Sequence, residues 1–127
     1  MKLNLRKDLE PLKCEKLAQI DADANRALES YRTSGDIAAL VYKLKRDEVS
    51  EADAGRPLNE LAMLQAEAFA TKVPASDLLE LWRRKIQDED AFIIVIEATR
   101  QKLKARTRAA QTPAEIEMIL FSPPSQS

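Results

Sequence analysis

The side chains able to do chemistry in this chain are carboxylates and bases, because histidine is absent from all 127 residues. Without imidazole there is no Ser-His or Cys-His pair and no imidazole metal ligand. An all-carboxylate metal site is therefore the enzyme reading to weigh first. Asp88-Glu89-Asp90 and the pair Asp21 and Asp23 are the acid clusters. Neighbouring helical residues point about 100° apart, so each cluster splays around its helix instead of converging on an ion. Helical di-metal sites set a Glu with a His three residues on, a pairing this chain cannot make. The expectation is a protein with no catalytic residues, no metal and no cofactor. Cys14, the single cysteine, has no intrachain disulfide partner and no neighbouring base, so it reads as a bystander thiol in a reducing compartment.

The bases offer a different chemistry. Arg100, Lys102, Lys104, Arg106 and Arg108 follow one another without an intervening acid. Arg100, Lys104 and Arg108 share one face of a helix and could contact phosphates, with an affinity falling steeply as salt rises. The competing reading is charge complementing the negative C-terminal end of a long helix. No aromatic residue in the segment could stack on bases, and the formal net charge is -1. Nucleic acid is the weaker expectation.

The apolar run is the sharper signal. Phe92, Ile93, Ile94, Val95 and Ile96 together cover the circumference of a helix. A helix apolar all round is buried all round, and full encirclement is hard to arrange in a small bundle. Ile94 and Val95 are therefore expected to meet another chain, or else to lie beneath a folded-back tail. Trp82 and Phe92 are further interface candidates, although Leu78, Leu79 and Leu81 beside Trp82 make an ordinary core role the stronger expectation for it.

The elements that must position these residues are helices. The chain is 45% hydrophobic and 32% charged, with 5% aromatic residues and two glycines, which suits an aliphatic helical core. Asp8 offers a cap to a first helix running to about Arg32, with a seam of Leu17, Ile20, Ala24, Ala27 and Tyr31. Thr33-Ser34-Gly35-Asp36 ends it and offers Ser34 or Asp36 as the next cap. A second helix, about Ile37 to Asp53, carries Ile37, Leu40, Val41 and Leu44 as its stripe. Its end, from Glu48 to Ala54, is poor in large apolar residues and is expected to fray before Gly55-Arg56-Pro57 stops it.

A third helix, about Leu58 to Thr71, shows Leu58, Leu61, Ala62, Gln65, Ala68 and Phe69 on one face. Ser76 then caps the longest helix, about Asp77 to Arg108, in which Trp82, Ile86, Glu89, Ile93, Ile96, Arg100 and Leu103 alternate by three and four. Thr112-Pro113-Ala114-Glu115 is a capping box opening a short helix to about Phe121, which shows Ile116, Ile119 and Leu120 to a partner surface. The reading is all-α: an antiparallel bundle of four main helices and a short C-terminal one in a single domain, 1–121. A polar tail, 122–127, is expected to be disordered. The N-terminus lacks a signal-peptide pattern and no apolar run exceeds Ala91 to Ile96, so neither that export route nor a membrane span is expected.

Three stretches carry a likeness. Ser30-Tyr31-Arg32-Thr33-Ser34-Gly35 is followed by Leu40-Val41-Tyr42 and by Lys45 to Glu48. Gln65-Ala66-Glu67-Ala68-Phe69-Ala70-Thr71 leads into a short turn and a helix carrying a tryptophan. Ile96-Glu97-Ala98-Thr99-Arg100 precedes Lys104 and then Thr112-Pro113-Ala114-Glu115-Ile116-Glu117. From about Leu5 to Ile119 the chain resembles small helical proteins encoded in the tail and tail-fibre gene region of tailed bacteriophages. It departs at Ser34-Gly35, which lacks that turn's proline, and at Lys72, where a glycine is usual.

The resemblance implies a phage-tail setting beside the fibre genes and brings no catalytic residues. The expected role is a non-enzymatic tail-fibre accessory or assembly factor in the host cytoplasm, chaperone-like and acting through helix packing. Its partner would be a protein, such as a tail fibre, or a further copy in a homo-oligomer. Trp82, Phe92, Ile94, Val95, Ile116 and Leu120 are the interface candidates. The alternatives are a structural component of the virion tail, or a nucleic-acid-binding or host-directed regulator using Arg100, Lys104 and Arg108.

Overall fold

The computed structural model describes residues 5–31 and 36–122. All regular structure among them is helical: α1 (Leu5–Tyr31), α2 (Asp36–Asp53), α3 (Ala62–Thr71), α4 (Ala75–Ala109) and α5 (Pro113–Glu117), with a 3-10 turn at Leu58–Glu60. Asp8 lies inside α1 and so does not cap it. Likewise Ser76 sits in the first turn of α4, because that helix already begins at Ala75. The break expected at 33–35 and the tail beyond Ser122 lie outside the described residues.

The helices gather into two compact units. One combines α1 with α4 from Phe92 onward and the chain beyond it; the other comprises α2, α3 and α4 up to Ala91.

In the first unit α1 and α4 run antiparallel. Ala24 and Ala27 pack with Phe92 and Ile96, while Ile20 packs with Leu103. The alanines leave room for the Phe92 ring, which a longer side chain at either position would displace. Each fully buried aliphatic side chain, such as Ile20 or Ile96, contributes about 1.5–3 kcal/mol through burial. Thr107 is fully buried, and its hydroxyl donates back to the Leu103 carbonyl at 2.8 Å, so no polar group is stranded there.

The C-terminal segment then lies along this pair. Ile116 packs with Leu9 and Ala110, Ile119 with Ile20 and Leu103, and Phe121 against both the Ile20 and the Ala24 clusters. Lys16 Nζ donates to the Ile119 carbonyl at 3.0 Å. The Thr112 hydroxyl accepts from the Glu115 amide at 3.2 Å, so the threonine cap forms as read, while the Glu115 carboxylate accepts from the amide of Gln111, one residue before the cap, at 2.7 Å. α5 nevertheless stops at Glu117 instead of reaching Phe121. Beyond it Ile119 and Phe121 turn inward while Leu120 turns out.

The second unit is built around Val49, Leu61, Leu64, Leu78, Leu79 and Trp82. α2 closes with a Schellman arrangement: Arg56 N–H bonds to Glu51 O and Gly55 N–H to Ala52 O, with Gly55 at φ 101. The end of α2, expected to fray, is held on two counts. Val49 is buried, and Glu48 reaches across to α3, where its carboxylate accepts from the amides of Met63 and Leu64 at 2.7 and 2.8 Å. That carboxylate satisfies two otherwise orphaned donors and sits favourably at the positive end of α3.

This cap also explains why α3 does not start at Leu58. The chain makes a 3-10 turn, passes through extended Leu61 (φ -91, ψ 99) and restarts at Ala62. The restart shifts the helix phase, so Leu64 and Ala68 join Leu61 on the core side. Ala62, Gln65 and Phe69, expected on that face, are exposed.

α3 ends at Lys72, in the left-handed region at φ 60. Replacing the cap carboxylate, Glu48→Ala, is expected to lower stability by about 1–2 kcal/mol in urea unfolding. Lys72→Gly is expected to raise the urea midpoint, with a gain of about 0.5–1 kcal/mol, because glycine adopts the left-handed C-terminal position without the Cβ penalty.

Candidate interaction surfaces

The fully apolar turn of α4 divides its residues between inside and outside. Phe92 and Ile96 enter the core with Ala24 and Ala27, Ile93 is half-buried, and Ile94 and Val95 stand outside at 67% and 45% exposure. The C-terminal segment could have covered that side. It does not: its inward residues fill the groove of α1 and α4 on the opposite side of the helix, where Phe92, Ile96 and Leu103 lie.

The other interface candidates separate in the same way. Trp82 is 4% exposed and belongs to the core of α2, α3 and α4. Lys45 Nζ lies 5.0 Å from its ring centroid and donates to Glu67 Oε1 at 3.3 Å, placing a cation over the indole face. Ile116 is buried against Leu9, whereas Leu120 points outward beside exposed Met118. Trp82, Phe92 and Ile116 thus serve their own units, and Ile94, Val95 and Leu120 remain accessible.

Two apolar faces that periodicity marks out stand at the surface. Ile37, Leu40 and Leu44 of α2 are exposed, Ile37 at 79%, because α2 meets its unit through Lys45, Glu48, Val49 and Ala52 instead. Phe69 is 89% exposed on α3. Periodicity gave the α2 stripe but not which end of the helix would be covered. For Phe69 the relevant signal was the Glu48 cap, which lies far away in the chain and resets the phase of α3.

The basic ridge is largely engaged within its own unit. Arg100 donates to Asp21 at 2.9 Å and to Glu97 at 2.8 Å, and Lys104 donates to Asp21 at 3.0 Å. Hydrogen bonds from Arg100 and then Lys104 hold the Asp21 carboxyl below its ordinary range. Arg100, followed by Gln101, holds Glu97 down at about 2. Arg108 keeps an exposed side chain, and its carbonyl receives Lys13 Nζ at 2.8 Å near the end of α4. Arg100, Lys104 and Arg108 therefore do not act as one free cationic row.

The acids of α4 diverge. Asp90 binds Arg46 through two bonds at 3.0 and 3.3 Å, Glu89 hydrogen-bonds Tyr42, and Asp88 faces solvent. Burial, then the bond to Glu89, pushes the Tyr42 phenol up to about 12. Among the described residues no group of three acidic or cysteine side chains is arranged to hold a metal, and no helix is long and apolar enough to cross a membrane. No protein-family model, no curated protein and no solved structure matches the chain.

Asp21 and Glu97 both have folded-state values below their ordinary ones. Their contribution is full above the unfolded value, about 4–4.5, and is lost as pH falls through the lowered one. The double variant Asp21→Asn, Glu97→Gln is expected to be less stable than the parent at about pH 7. In urea unfolding that gap should narrow steadily toward about pH 2.

Proposed function

We propose that this chain is a non-enzymatic interaction protein of a bacteriophage tail system, a tail-fibre accessory or assembly factor that works by presenting helix faces to another protein. One observation carries the interaction part: Ile94 and Val95 stand exposed on the same turn of α4 whose Phe92 and Ile96 anchor the core. An interface built there is braced from behind by packed side chains, which favours a rigid recognition surface over an adaptable loop. The phage setting is supported by the resemblance carried by the stretches around Ser30, Gln65 and Ile96. The partner would be a protein with a complementary apolar helix face, met in the host cytoplasm during assembly.

Mass spectrometry across a density gradient of phage lysate tests the setting. An assembly factor is expected in the soluble fractions with its partner. Stoichiometric presence in the particle band would make the protein a structural tail component instead. The surface itself is tested by Ile94→Glu. Because Ile94 is exposed, helicity and stability should stay within about 0.5 kcal/mol of the parent, while capture of the partner is lost. Unfolding of this variant, or undiminished capture, would overturn the assignment.

A further inference from the structure

α2 is anchored at the opposite end from the one its sequence favours. Its large apolar residues lie in the first half, yet Ile37, Leu40 and Leu44 are exposed, and no residue from Ile37 to Leu44 is buried. Ala38 and Val41, half-buried, join none of the buried clusters formed by the described residues. The second half holds the fastenings to the core. Lys45 donates to Glu67, Glu48 accepts from the amides of Met63 and Leu64, and Val49 and Ala52 pack into the Trp82 cluster.

The first half is tied down at a single side chain. Among the described residues, Tyr42 is the one member of Ile37 to Leu44 whose side chain makes a hydrogen bond. Its hydroxyl bonds the Glu89 carboxylate of α4 and accepts from Arg46 Nη1 at 3.2 Å, while the Arg46 guanidinium lies 5.7 Å from the ring centroid. Arg46 is in turn fixed by Asp90, the neighbour of Glu89, at 3.0 and 3.3 Å. Two helical turns with no buried apolar side chain are marginal in water by themselves.

We propose that the first half of α2 is a strap latched by the Tyr42 hydroxyl, opening by local unfolding while the half from Lys45 onward stays folded. Such an opening releases one cooperative piece at lower cost than unfolding the whole unit. The hinge falls between Leu44 and Glu48, where the ties change from one phenol to a buried core. Asp90 acts through Arg46, which it holds in place to donate to the phenol. The strap belongs to the α2–α3 unit and Ile94 and Val95 to the other, so it stands or falls independently of the proposed function.

Amide hydrogen exchange on the full chain, read residue by residue by NMR, tests the proposal. The first four amides of a helix have no partner in the helix, so Leu40 to Leu44 are the informative ones. In the parent they are expected to exchange at least about tenfold faster than Val49 to Asp53, and with a common opening equilibrium. Tyr42→Phe keeps the ring and removes both bonds. It should speed Leu40 to Leu44 by roughly a further tenfold and leave Val49 to Asp53 unchanged. Asp90→Asn should shift the same amides in the same direction, since it loosens Arg46. Equal protection along all of α2 would overturn the strap. So would a Tyr42→Phe variant that leaves Leu40 to Leu44 unchanged, which is ordinary end-fraying, or one that loosens both halves alike, which means that α2 opens as one piece.

Discussion

The inward stripe of α4 is the constraint on which the rest of the structure depends. Leu78, Leu79 and Trp82 supply one core and Phe92, Ile96 and Leu103 supply the other. α1, α2, α3 and the C-terminal segment all bury apolar side chains in clusters fed by this helix or by Ala110 at its end. A long helix of modest intrinsic preference is stabilised mainly by such packing rather than by propensity. The cores are aliphatic, and small residues such as Ala24 and Ala27 let the helices come close around the few aromatic rings. A protein held in this way keeps its surface free for other uses.

Charge performs a second task within each unit. Arg100 and Lys104 converge on Asp21, Arg46 grips Asp90, and Arg83 joins Asp53 at 2.6 Å. These ties link helices adjacent in space and far apart in sequence, and they fix relative register more than they add stability. Glu48 goes further, since its carboxylate substitutes for a local cap at the start of α3. Part of the chain's charge is thus used for ties between helices, and exposed Ile94 and Val95 stand apart from them.

The helical class, the boundaries of α2 and α4 to within a residue or two, and the Thr112 capping box were all legible, because each rests on signals within a few residues of one another. The division of the Phe92–Ile96 turn into inner and outer residues was half legible. Five apolar residues announced that something must cover the helix, but periodicity could not say which arc faced its own core. The start of α3 was not legible at all, since it depends on Glu48 meeting amides fifteen and sixteen residues further on. The burial of Trp82 was legible in part: Leu78, Leu79 and Leu81 beside it favoured a core role, while Val49 and Leu64, which complete its surroundings, come from other helices. Ile37 and Leu40 show the converse: a well-formed stripe was readable, and its exposure followed from tertiary packing at the other end of α2.

The way the two units are threaded bears on how the protein is made. The α2–α3 unit is contiguous in sequence, so it can close as soon as the first part of α4 leaves the ribosome. The other unit must join Leu9 to Ile116 and Ile20 to Ile119. α1 therefore waits, with its apolar seam uncovered, until α4 and the segment beyond it have been synthesised. Contacts so distant in sequence close late and carry a large loop-closure cost. During that interval the nascent chain offers an unpaired amphipathic helix to whatever lies nearby, and the final residues of the C-terminal segment act as the clasp that ends the exposure.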